Sequence, residues 1–137
     1  PALTRPTLLN QLKNRHTYAT TGKRVILKFT INGTAFMGDE LSSGENPHIS
    51  VTVIGGTSIV KKVEIIRDNE TIHQIEPNSS SVNMTFDDSQ FLNFLSGSTH
   101  YYYVRVTLAD TFLASMVDGM RAFPHLAWSS PIWVTKE

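Results

Sequence analysis

The stretch "RHTYATTGKRVILKFTI", residues 15–31, changes rhythm halfway along. Its first part gathers a His, a Tyr, three Thr and a Gly with no period. From Arg24 onward, Val25, Leu27, Phe29 and Ile31 alternate with Arg24, Lys28 and Thr30. A period of two marks a strand with one face buried. Upstream, "LLNQLKNR" sets Leu8, Leu9 and Leu12 on one side and Asn10, Gln11, Lys13 and Asn14 mostly on the other. This predicts a helix of about two turns over residues 7–15, with Thr7 as its N-cap. So short a helix is marginal in water, and its leucines must dock somewhere. Residues 1–23 therefore read as a junction, and residues 24–137 as the domain proper. Hydroxyl-rich residues in such a junction satisfy freed backbone groups, Gly22 turns the chain into the strand, and Tyr18 packs while its OH finds a partner.

Working outward, the alternation returns several times. Asn32-Gly33 marks a turn, with a hairpin back through "TAFMGDEL". Ile49, Val51 and Val53 form the next strand, and Val63 and Ile65 lead to the turn "RDNE" and its partner strand "TIHQI". Val82, Met84 and Phe86 alternate with Asn83 and Thr85, and "HYYYVRVTLAD" sets Tyr102, Val104, Val106 and Leu108 against Tyr101, Tyr103, Arg105 and Thr107. "AWSSPIWVT" closes the chain with Ile132 and Val134, and Trp128 and Trp133 are expected near the rim or core. Short strands joined by turn signals, with one helix at the start, predict an all-β fold: an Ig-like antiparallel sandwich of about seven strands with a short N-terminal helix. Residues 111–126, apolar without alternation, read as a short helix or an irregular flap.

Composition removes several functions. The 137 residues suit one domain, and 12 basic against 12 acidic residues leave no field for nucleic acid. There is no cysteine, so no disulfide frame, thiolate zinc site or Cys nucleophile. No apolar run is long enough to span a membrane. The first residue is Pro1, which suggests a piece of a longer protein. His16, His48, His73, His100 and His125 show no ligand spacing. There is no G-x-S-x-G, Ser129-Ser130 reads as a strand-entry turn, and Asp87-Asp88 reads as a solvated strand end. The outward pair Tyr101 and Tyr103 has three readings: a layer beneath residues 111–126, a surface for a partner domain, or a platform that stacks sugar rings together with Trp133.

"LLNQLKNRHTYATTGKRVILKFTINGTAFMGDEL", "VEIIRDNETIHQI", "HYYYVRVTLAD" and "AWSSPIWV" resemble, in this order, the region that follows the catalytic barrel in one branch of the bacterial PHP (polymerase and histidinol phosphatase) metallohydrolases. The pattern R-x-T-Y-A-T-T-G-x-R, a strand, NG and MG-E carries the likeness. It covers nearly the whole chain and breaks at residues 111–126, where the family has a short acidic turn. The resemblance implies a non-catalytic C-terminal sandwich that packs on its own upstream catalytic domain. Divalent metals belong to that absent barrel, whose H-x-H and D-x-H motifs do not occur here, so this chain is assigned no catalytic residue, metal ligand or cofactor. It further implies that His16, Tyr18, Thr20 and Thr21 border the barrel's cleft. Leu8, Leu9, Leu12, Tyr101 and Tyr103 are the candidate interface, with weak self-association expected where the leucines stay uncovered. The alternative is an adhesion or carbohydrate-binding module.

Overall fold

The computed structural model describes residues 3–116 and 119–137, with residues 114–116 as backbone only. The helical pattern becomes α1 (Arg5–Lys13), and the junction supplies a short strand, β1 (Tyr18–Thr20). The alternation from Val25 becomes β2 (Ile26–Ile31), which turns at Asn32-Gly33 into β3 (Ala35–Phe36). Then follow β4 (Glu40–Ser43), β5 (His48–Ile54), β6 (Val60–Arg67), β7 (Glu70–Ile75) and β8 (Ser81–Asp87). After a single 3-10 turn at Phe91–Asn93 come β9 (Thr99–Met116), β10 (Gly119–Ser129) and β11 (Ile132–Lys136). Both tight turns have the backbone that hairpins of this length need. Asn32 and Gly33 sit at φ 53° and 67°, Asp68 and Asn69 at 50° and 71°, the left-handed region that Asn, Asp and Gly tolerate best.

Two sheets face each other. The smaller runs β3-β2-β5-β8, antiparallel throughout. In the larger, β6 joins β7 to one edge of β9, while β10 and β11 share the other edge. β1 then flanks β10, and β4 runs parallel to β11. In Ig terms β2, β5 and β8 take the places of A, B and E, and β6, β9 and the split β10–β11 those of C, F and G. The chain is an all-β, Ig-like sandwich with a short N-terminal helix. Among the described residues eleven strands rather than about seven arise, because the first strand region and the last are each broken into pieces. The predicted return through residues 34–41 lasts only two residues before the chain crosses sheets at Gly38 to become β4.

The expected inward set fills the space between the sheets. Val25, Leu27, Phe29, Val51, Val63, Ile65, Val82, Met84, Tyr102, Val104, Val106 and Ile132 are all buried. Phe86 is the exception. It is half-buried at the outer strand β8 and stacks on His73 of β7, ring centroids 4.5 Å apart, closing the gap between the two sheets. Trp128 and Trp133 are half-buried on the outer face of the larger sheet. Residues 111–126 are neither helix nor flap, since their described part continues β9 and β10 as a hairpin, with Phe112 opposite Phe123 and Leu113 opposite Ala122. The tip of that predicted segment, Val117 and Asp118, lies outside the described residues. The helix begins earlier than expected: Thr4 is the N-cap, and Thr7 is the N3 partner whose Oγ1 accepts the Thr4 N–H at 2.9 Å, forming a capping box.

Asp88 corrects another expectation. It is not solvated but 2% exposed, its Oδ2 accepting from Arg67 Nη1 at 2.6 Å and from the Tyr102 hydroxyl at 2.8 Å. Arg67 Nη2 donates to Gln90 Oε1, and the Gln90 N–H returns to Asp88 Oδ1 at 3.1 Å. Burial, then the adjacent Asp88 carboxylate, pushes the Tyr102 phenol's pKa up, so it stays a donor. Removing one partner of a buried ion pair strands the other's charge. Asp88→Ala is expected to cost about 3–5 kcal/mol and Tyr102→Phe about 1–1.5 kcal/mol in denaturant unfolding; equal small losses would show that the network does not close the core.

Candidate functional site

The candidate residues occupy two connected surfaces. The first is the junction. α1 ends in a Schellman motif, the His16 N–H bonding Gln11 O at 3.0 Å and the Arg15 N–H bonding Leu12 O at 3.1 Å. The left-handed residue of this motif is usually glycine. Here it is Arg15, at φ 61°, a conformation a side chain enters at some cost and keeps only where its surroundings hold it. They do hold it. Arg15 Nε and Nη2 both donate to Gly38 O at 3.1 and 3.0 Å, Nη2 also reaches Glu40 Oε1 at 2.9 Å, and the guanidinium lies 4.8 Å from the Trp133 ring centroid. His16 Nε2 donates to Asp39 Oδ1 at 2.7 Å while its Nδ1 lies 3.2 Å from Gln11 Oε1.

The run "MGDE" is therefore the socket of the junction. Gly38 is required there: a Cβ on it would stand 2.5 Å from Asn14 O and 2.6 Å from Arg15 O, and its φ is +98°. Beyond the socket the junction joins the larger sheet. Tyr18, Ala19 and Thr20 pair with Ser129, Trp128 and Ala127, and Tyr18 OH donates to Val25 O at 2.8 Å. Thr21 Oγ1 accepts the Leu126 N–H at 2.8 Å, and His125 Nδ1 donates to Thr21 O at 2.8 Å. Gly22 turns the chain at φ 105°.

α1 buries nothing. Leu8, Leu9 and Leu12 are 49%, 47% and 62% exposed. Leu8 and Leu12, with Gln11, His16, Thr17 and Tyr18, line an apolar groove of about 480 Å³. The groove gathers two of the four predicted cleft residues, His16 and Tyr18. Thr20 and Thr21 lie at the far end of β1, and Leu9 is not part of the lining.

The second surface is the outer face of the larger sheet. Register places Trp133 opposite Tyr101 and Glu40, Tyr103 opposite Ile66, and Trp128 opposite Arg105 and Ala19. All four aromatic residues are half-buried. Among them Arg105 makes a two-pronged bond to Glu64, Nε to Oε2 at 2.9 Å and Nη2 to Oε1 at 3.0 Å. Those bonds, with help from Lys62 and against burial, hold the Glu64 carboxyl's pKa below its ordinary value. The described part of 111–126 forms the far end of β9 and its β10 partner, whereas Tyr101 and Tyr103 sit at the start of β9. Arg15 lies over Trp133 and so ties the two surfaces together. Sequence reading missed Gly38, Asp39, Glu40 and Trp128, whose roles appear only once β4 and β10 are placed beside the junction.

Among the described residues, no three His, Asp or Glu side chains stand together to hold a metal ion, and no helix is long and apolar enough to cross a membrane. No family model matches the chain. It is similar to an uncharacterized protein of Chlamydia pneumoniae, 39% identical over 143 residues, which cover 96% of this chain and 21% of that protein. Uncharacterized proteins of Chlamydia muridarum and of Chlamydia trachomatis serovar D are each 32% identical, over 95% of this chain and 21% of their own length. The chain spans about a fifth of these bacterial relatives.

Asp39 gives the socket a pH dependence. Burial works to raise its pKa, but the Phe36 N–H, His16 and Arg15 outweigh that and hold it below the ordinary value of an aspartate. A carboxyl depressed on folding contributes stability above its unfolded pKa and loses it as pH falls through the folded value. Thermal melts of wild type and Asp39→Asn should differ at neutral pH and converge as pH falls below the ordinary aspartate range; a constant gap would show that the charge on Asp39 does not matter.

Proposed function

We propose that this chain is the non-catalytic C-terminal β-sandwich of a PHP-type metal-dependent phosphohydrolase, packing on and supporting the catalytic barrel. The observation that carries this reading is α1, held rigidly by the Arg15 and His16 socket yet exposing all three of its leucines. A helix of this length does not persist by itself, and the sandwich spends a strained Arg15 to hold it at one angle. Such a device makes sense if another body covers the leucines. The relatives, about five times longer than the matched stretch, leave room for a barrel. In this reading the groove beside His16 and Tyr18 faces the barrel, with Thr20 and Thr21 farther along the same edge, and divalent metals reside in the barrel.

One observation favours a second reading, a carbohydrate-binding or adhesion module: the shared face of Tyr101, Tyr103, Trp128 and Trp133, which suits stacking on sugar rings. A glycan array separates the two. Saturable binding lost in Tyr101→Ala favours the module.

For the first reading, Leu12→Ala should shift the stability of the 137-residue chain by no more than about 0.5 kcal/mol, as an exposed position does, rather than the roughly 2–5 kcal/mol of a core truncation. In the full-length protein, Leu12→Asp should lower the melting temperature and loosen the sandwich to proteolysis. Metal analysis and a phosphate-ester assay complete the test. Metal and turnover should accompany the full-length protein, and either one found in the isolated chain would overturn the proposal.

A further inference from the structure

β9 and β10 outrun the sandwich. On one side the cover ends where the Ala109 N–H meets Ile59 O at 2.9 Å, just before β6 begins. On the other it ends at Thr21, beside Leu126. Beyond these points residues 111–116 pair with residues 119–124 in an arm of two strands. Each face of the arm carries exposed or paired apolar side chains, with Arg121 as the charge on the Phe123 side. Phe112 and Phe123 pack at 5.9 Å between ring centroids, with His125 5.0 Å from Phe112, on one face. Strand alternation puts Leu113, Met120 and Ala122 on the other, where Leu113 is 68% and Met120 61% exposed. A lone two-stranded ribbon has no core of its own and is marginal in water.

Its two edges differ. β10 carries Arg121 and Pro124, a charge and a missing N–H, the devices that deter pairing at a sheet edge. β9 reads "TFLASM" over residues 111–116, with no charge, proline or glycine. The geometry points to a second copy of this chain as the occupant: the unguarded β9 edges of two arms pair antiparallel about a two-fold axis. An identical edge is self-complementary under that symmetry, and residues 111–116 themselves bring no charge to the contact. Pairing also satisfies the backbone groups along the edge. A lipid surface does not, since open-edge N–H and C=O groups entering hydrocarbon cost several kcal/mol. The shared surface is small against the roughly 1,200 Å² of a stable complex, so the dimer is weak and reversible.

The inference is independent of the proposed function. Sedimentation of the 137-residue chain from micromolar to near-millimolar concentration should show a monomer–dimer equilibrium. Leu113→Lys, which puts a charge on the edge strand, should weaken it at least about tenfold, and replacing residues 111–124 by an Asn-Gly turn should abolish it. Leu12→Lys on α1 should leave it unchanged, and amides of residues 111–116 should exchange more slowly as concentration rises. A chain that stays monomeric throughout overturns the inference. So does a dimer lost in Leu12→Lys but kept in Leu113→Lys, or arm protection that appears only with anionic vesicles or a foreign protein.

Discussion

Asp88 joins the two sheets, between which no strand ladder runs. It lies just past β8 in the smaller sheet, and its carboxylate receives Arg67 from the end of β6 and Tyr102 from β9, both in the larger sheet. An unpaired carboxylate at that depth is costly, and so is an unpaired guanidinium; each makes the other tolerable, provided the remaining lone pairs and protons are satisfied. Gln90 and its own N–H supply that completion. The far side of Arg67 is closed by Phe94, 4.7 Å away, which stacks on His100, and His100 in turn donates to Asp68 in the turn after β6. The loop from Asp88 to Ser98 is thereby pinned to the larger sheet. With this end fixed, the registers of β6 and β9 follow, and with them the aromatic rows on the outer face.

The other end is fixed by a different economy. α1 contributes nothing to the core, yet three independent contacts, Arg15 on Gly38 and Glu40, Arg15 over Trp133, and His16 on Asp39, set its direction. None of these contacts is deeply buried, so each contributes modestly in water. Their value lies in orientation. A left-handed arginine would relax to an easier conformation if the helix were merely tethered, so its persistence marks the angle of α1 as something the fold specifies.

The regular strands were legible because the sequence alternates strictly wherever one face is buried, as in Val25 to Ile31 or Tyr102 to Leu108. What escaped was decided by tertiary context. Asp88 looks like any strand-end acid until Arg67 and Tyr102 arrive from distant positions. The brief life of β3 follows from Gly38 crossing to β11, which no local pattern in "TAFMGDEL" announces. In residues 111–126 the alternation is hidden because each face of the arm carries large apolar side chains, Phe112 and Phe123 beside Arg121 on one and Leu113 and Met120 on the other, and period two shows only when the faces differ in polarity. Within the junction, "TYATT" was legible as backbone satisfaction, and Tyr18 and Thr21 act that way. The socket residues Gly38, Asp39 and Glu40 were visible only as an unexplained motif.

A fold whose centre is closed and whose ends are open invites a division of labour. The interior is closed: both sheets bury their apolar faces, and the buried Asp88–Arg67–Tyr102 cluster has its hydrogen bonds met from within the fold. The surfaces that remain incomplete lie elsewhere, in α1 with its groove and in the arm beyond β9. They flank the two ends of β1, which is itself only three residues long. A strand so short cannot anchor a large attached body through hydrogen bonds alone. Side-chain anchors at both of its ends, Arg15 and His16 at one and Thr21 with His125 at the other, therefore take over the mechanical task, and they let a small sandwich transmit a fixed orientation to whatever α1 touches.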